Sequence, residues 1–146
     1  MSKKRLTLWI IVILTIAFIF GQSFLDQKTS LKESNKVKET VVQPVHEAIT
    51  GNSELSHDIR DIAHITEFSI LGFVLALLLR DEKFFPGIMR AVSYCGLLAL
   101  IDESIQYLSG RSPEVVDIWL DILGAVVGVA AGRLIVEIVK RLKKHR

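Results

Sequence analysis

The stretch Leu100-Ile101-Asp102-Glu103-Ser104-Ile105-Gln106-Tyr107 decides how the chain is read. It closes an apolar run that starts near Ile88, and it carries two adjacent carboxylates and a carboxamide. A membrane helix needs ~20 consecutive, mostly apolar residues, and the run from Ile88 to Leu108 supplies them. An Asp at the centre of such a helix costs roughly 2.5–3.5 kcal/mol on insertion scales. Residues of this kind are kept only where other polar groups face the same interior. Arg60, His64, Glu67, Arg111, Asp117 and Asp121 are the candidates to do so.

The rest of the composition agrees with a membrane protein. Half of the 146 residues are hydrophobic and mean hydropathy is +0.40, values beyond those of ordinary soluble domains. Length alone indicates one domain, residues 1–146. The net charge of +2 is small and the basic residues gather at the chain ends. They read as topology signals, and no nucleic-acid partner is expected. The single cysteine, Cys95, lies inside an apolar run and reads as a small buried hydrophobe.

Four spans are predicted, at about 6–24, 59–79, 88–108 and 115–139. The first follows the basic Lys3-Lys4-Arg5 and ends in Gly21-Gln22-Ser23-Phe24. A cleaved signal peptide would have a shorter apolar core and a small-x-small terminus, so an uncleaved helix is expected. Residues 25–58 form a polar outward loop. Within it, Val37, Val41, Val42 and Val45 suit either a short surface helix, broken by Pro44, or a solvated loop. Ser53, Ser56 and Asp58 are candidate N-caps for the second span.

In the second span Arg60, His64, Glu67 and Leu71 recur on one helical face. A turn over Arg80-Asp81-Glu82-Lys83 with Pro86-Gly87 leads to the third span, where Asp102 and Gln106 are one turn apart. Ser112 then fits an N-cap and Pro113 the first helical position of the fourth span. There Asp117, Asp121, Gly124, Gly128 and Gly132 fall within a stripe of roughly 80°. The three glycines make a double small-xxx-small pattern that admits a second helix, either from within the chain or from a second copy in a homo-oligomer.

Four spans put both termini on one side. That side carries 11 Lys and Arg in the first segment, the Arg80–Arg90 turn and the tail, against six on the other. The positive-inside rule then makes the termini cytoplasmic. Counting 1.5 Å per residue from the outer surface, His64 lies ~8 Å deep, Glu67 ~12 Å, Asp102 and Glu103 ~7–9 Å and Asp121 ~9 Å. Arg60, Arg111 and Asp117 lie near the rim. The expected result is an all-α, four-helix transmembrane bundle with a polar pocket opening outward.

The order Arg60-x-x-Ala63-His64-x-x-Glu67-Phe68, Asp102-Glu103-x-x-Gln106, Gly110-Arg111 and Asp117-x-x-x-Asp121-x-x-Gly124-x-x-x-Gly128 resembles the VanZ-like family of small bacterial integral membrane proteins. The Gln22-Ser23 exit of the first helix also looks like the family's first loop, so the resemblance covers nearly the whole chain. It departs where the family often has a basic residue at Asp61, an aromatic at Ile65 and Asn at Asp121. It implies a multi-pass plasma-membrane location, a place in the cell envelope and a link to resistance against teicoplanin-type glycopeptide antibiotics.

Several uses of the cluster stand side by side. Arg60 and Arg111 suit the anionic groups of a ligand, since guanidinium matches phosphate and carboxylate bidentately. The ligand would be a membrane lipid, a lipid-linked cell-wall precursor or a lipoglycopeptide. An intramembrane enzyme would draw its acid, base or divalent-metal ligands from His64, Glu67, Asp102, Glu103, Gln106, Asp117 and Asp121. A proton- or cation-coupled transporter would need a path across, which the apolar inner helix halves do not offer. A purely structural cluster would lock helix register, with Arg60 pairing Glu67 and Arg111 pairing Asp117.

Overall fold

A computed structural model describes residues 3–25, 36–37, 39–40, 44, 59–111 and 114–144. The described chain is all-helical: α1 (Lys3–Ser23), α2 (Ile59–Leu78), α3 (Phe84–Leu108) and α4 (Val115–Lys144). Each is long and apolar enough to span a membrane. The candidate caps Ser53, Ser56 and Asp58, together with Ser112 and Pro113, lie outside the described residues, as do Val41, Val42 and Val45. Val37 is described and exposed.

Two helix boundaries differ from the sequence reading by a full turn or more. α3 begins at Phe84, so Pro86 and Gly87 belong to its first turn. The first amide N–H groups of a helix have no intrahelical acceptor, so a proline there forfeits nothing. α4 continues through Lys140 and Arg141 to Lys144, since basic side chains suit the negative end of a helix dipole.

The bundle is held together by the seam between α2 and α4, its most extensive helix–helix contact. A Cβ on Gly72 would stand 2.6 Å from the Ala125 carbonyl oxygen, and one on Gly124 would strike the Ile65 carbonyl. A Cβ on Gly128 would strike the Ser69 carbonyl, and one on Gly132 would stand 2.9 Å from that of Phe73. The Ser69 hydroxyl adds a bond to the Gly124 carbonyl at 2.9 Å. Close backbone approach of this kind substitutes for the hydrophobic force that helices lack in lipid. The small-residue stripe is thus filled by α2 of the same chain. The surface considered for a homo-oligomer through Gly124, Gly128 and Gly132 is covered from within.

Around this seam α1 packs on α2 and α3, and α3 on α4. Phe68, Leu71, Ala91, Cys95, Ala99 and Ala125 are fully buried between the helices. Trp9, Ile13, Leu14, Phe18, Leu97, Trp119, Leu123, Val127 and Leu134 are exposed. Outward-facing apolar surface on this scale marks contact with a nonaqueous solvent, here lipid.

Gly128→Ala should separate α2 from α4, because the clashing atoms are backbone and cannot swing away. A loss of about 1–3 kcal/mol is expected. Gly96→Ala, with open space at its Cβ position, should match or slightly exceed the parent. Thermal stability of the two variants in detergent, followed by gel filtration, checks this contrast.

Candidate functional site

Antiparallel packing brings the C-terminal ends of α1 and α3 level with the N-terminal ends of α2 and α4. Every polar residue of the signature except Glu67 meets at that level. The local geometry starts at Gly110, whose positive φ of 76° few other residues adopt readily. The Gly110 amide donates to the Tyr107 carbonyl at 3.2 Å and the Arg111 amide to that of Gln106 at 3.0 Å. This Schellman closure ends α3 and folds Arg111 back over the helix end, where it is buried.

A hydrogen-bonded chain from Ser23 to Asp117 then links all four helices, and a His64–Asp121 pair stands beside it. The Ser23 hydroxyl on α1 donates to Asp102 Oδ1 at 2.5 Å, and Gln106 Nε2 donates to Asp102 Oδ2 at 2.7 Å. Arg60 Nη2 on α2 donates to Gln106 Oε1 at 3.1 Å and to Asp117 Oδ2 on α4 at 2.6 Å. Asp117 Oδ2 lies 3.8 Å from His64 Nε2, and His64 Nδ1 meets Asp121 Oδ1 at 2.9 Å. The partners fix the Gln106 amide orientation: its oxygen faces a guanidinium and its nitrogen a carboxylate. Glu103 is held to one side, its Oε2 accepting the Glu114 amide at 3.1 Å just before α4, where the helix dipole favours negative charge.

Burial is nearly complete. Asp102, Gln106 and Asp121 are at most 1% exposed, and Glu103 and His64 are 5% and 7% exposed. Two carboxylate oxygens, Glu103 Oε1 and Asp121 Oδ2, are buried without a hydrogen-bond partner among the described residues. Arg111, in the turn outside the spans, has its pKa lowered first by burial and then by the nearby Arg60. Asp102, Glu103 and Asp117 oppose that shift.

The pairing departs from the two ion pairs considered above. Arg60 joins Asp117, and neither Arg60–Glu67 nor Arg111–Asp117 forms as a salt bridge among the described residues. Glu67 stands apart, half-buried in a cleft of about 280 Å³ between α1 and α2 lined by Ile11, Leu14, Thr15, Phe18 and Ile70. Glu67 lies about 10 Å further along the helix than Arg60 and is turned ~60° from His64, which together take it out of the network.

Two polar residues escaped the sequence reading of the cluster and of the inner helix halves. Ser23 is the α1 member of the network; in the sequence it stood out only as part of the Gln22-Ser23 exit that resembles the family's first loop. Arg133 is 1% exposed near the opposite end of α4, so the inner halves are not wholly apolar. Its Nη1 approaches the Glu82 carbonyl at 3.4 Å, and its guanidinium fills the space a Cβ on Gly87 would need. Its isolation as the one charge between Asp121 and Glu137 was the available signal.

Removing one member of the Arg60–Asp117 pair leaves the other uncompensated in a low-dielectric layer. Arg60→Gln should cost about 2–4 kcal/mol, less than a fully buried pair because the Arg60 side chain is 25% exposed. Adding Asp117→Asn should recover most of that loss. A double-mutant cycle on unfolding in mixed micelles measures the coupling.

The sequence model of the VanZ/LLP1 family matches residues 8–136. No curated protein and no solved structure matches the chain. Because the matched stretch starts within α1 and ends within α4, it takes in all four helices and the whole polar network, and the chain belongs to the VanZ/LLP1 family.

Proposed function

We propose that this VanZ/LLP1 protein resides in the bacterial plasma membrane with both termini in the cytoplasm. Its polar layer then lies in the outer leaflet, where it binds or modifies an outer-leaflet ligand and protects against teicoplanin-type glycopeptides. One observation carries the reading: the network gathers its charged groups at the end of the bundle opposite both termini. The basic residues of the α1 start and the α4 end favour the cytoplasmic face for those termini.

The chemistry of the layer suits an anionic headgroup or an acylated ligand. Arg111 and Arg60 offer guanidinium groups for phosphate or carboxylate, and the surrounding helix faces are apolar enough for a lipid chain. A lipid headgroup, a lipid-linked cell-wall precursor and a lipoglycopeptide all combine these two properties. The His64–Asp121 pair favours a second reading, acid/base catalysis on such a ligand, since a carboxylate that orients an imidazole is a recurring catalytic arrangement. Turnover of labelled membrane lipid separates catalysis from binding.

Two measurements test the proposal. In a Cys95→Ala background, Glu114→Cys should react with a membrane-impermeant maleimide in intact cells, and Lys144→Cys only after permeabilisation. The reverse pattern overturns the sidedness. Expression in a teicoplanin-sensitive host should raise resistance, and His64→Ala, Asp102→Asn and Glu103→Gln at matched membrane levels should return it to the empty-vector value. No protection by the parent overturns the resistance role.

A further inference from the structure

We infer that His64, Glu103 and Asp117 form a binding site for a divalent transition-metal ion of the zinc or manganese class. The inference rests on the reading of the polar layer as the working site, though not on which outer-leaflet ligand it serves. His64, Glu103 and Asp117 each offer one ligand atom, all within 4.8 Å of one another. Two donors on one tetrahedral ion stand about 3.4 Å apart, so the 3.8 Å between His64 Nε2 and Asp117 Oδ2 closes with a small side-chain adjustment.

The hydrogen bonds select this trio over the alternative. His64, Asp102 and Asp121 satisfy the same distance criterion. Asp102, however, spends one oxygen on Ser23 and the other on Gln106, whereas Asp117 spends only Oδ2, on Arg60, among the described residues. Asp121 holds His64 at Nδ1, and a carboxylate there leaves the imidazole proton on that nitrogen. The Nε2 lone pair is thereby directed toward Asp117. A carboxylate behind a histidine is the usual outer support of a metal-binding imidazole. Glu103 Oε1 supplies the independent sign of a missing ligand: it is buried, has no partner among the described residues, and belongs to a side chain 5% exposed. Asp121 Oδ2 is orphaned likewise, but Asp121 already holds His64 from behind through Oδ1.

Charge balance points the same way. Asp102, Glu103, Asp117 and Asp121 face the two guanidinium groups of Arg60 and Arg111 among the described residues. In a low-dielectric layer the excess of two negative charges needs protons or a dication. One imidazole with two carboxylates suits zinc, manganese or ferrous iron, while magnesium and calcium prefer all-oxygen shells. Three protein donors leave a further coordination position for water or an anionic oxygen of the ligand.

The test uses the full chain in lipid nanodiscs, purified without a polyhistidine tag, stripped with chelator and titrated with Co²⁺ as the spectroscopic probe. The expected result is one tightly bound ion per chain with the visible absorption of a low-symmetry nitrogen–oxygen site, displaced by Zn²⁺ and unaffected by excess Mg²⁺. Glu103→Gln and His64→Ala should abolish the spectrum. Asp121→Asn should weaken binding by about 10–100-fold through loss of imidazole orientation. Asp102→Asn should weaken binding through the lost charge yet keep the Co²⁺ spectrum, since in this assignment Asp102 gives no ligand atom. A parent that takes up no Co²⁺, or a folded His64→Ala variant that binds like the parent, overturns the site. A metal-free parent that still protects against teicoplanin sinks only the metal. A metal-binding parent that gives no protection sinks only the resistance role.

Discussion

The rest of this structure depends on one constraint, the cost of holding carboxylates where water cannot reach them. Asp102 and Asp121 are essentially inaccessible, and each would be expelled from a bilayer if left alone. They persist because all four helices send a partner to the same level. Ser23 and Gln106 take both oxygens of Asp102, Arg60 bridges Gln106 to Asp117, and His64 answers Asp121. Shifting any helix by one residue along its axis moves its contribution by 1.5 Å and rotates it by 100°, which breaks the chain. The network therefore fixes helix register as well as forming the candidate site, and the same residues serve both ends.

The α2–α4 seam makes that arrangement possible. Backbone contact along Gly124, Gly128 and Gly132 brings the two axes close enough for short side chains such as His64 and Asp121 to meet. Larger residues along the seam would hold the axes apart and open the pairs. The seam and the network are consecutive segments of one helix face, as the position of Asp117 and Asp121 directly before Gly124 requires. In lipid, where apolar side chains gain little by leaving their solvent, small residues and interhelical hydrogen bonds are the available means of association. This face of α4 uses both.

The two ends of the bundle are chemically unlike. At the network end a surplus of carboxylates is enclosed, with two oxygens lacking partners among the described residues, a condition that invites a cation. At the other end Arg133 is a buried cation whose Nε and Nη2 lack partners among the described residues, and Gly87 makes room for it. A membrane protein that carried these groups only for packing would do better with apolar residues of similar size.

The sequence by itself determined the four spans, their order and the family, because run length, helical periodicity and motif spacing are local properties. It also placed Arg60, His64, Asp102, Glu103, Gln106, Asp117 and Asp121 in one layer, since four antiparallel helices of similar length leave few other levels for them. It left the partners undetermined. Arg60 had Glu67 on its own helix face, yet it bonds Asp117 across the seam, and the α2–α4 approach decided that choice. Glu67 shared the motif and still faces a cleft against α1. Ser23 and Arg133 acquired their surroundings only when α3 packed beside them. Periodicity gives a residue's angle around its own helix, while its partner depends on the rotation and distance of a neighbouring helix, which only tertiary packing sets.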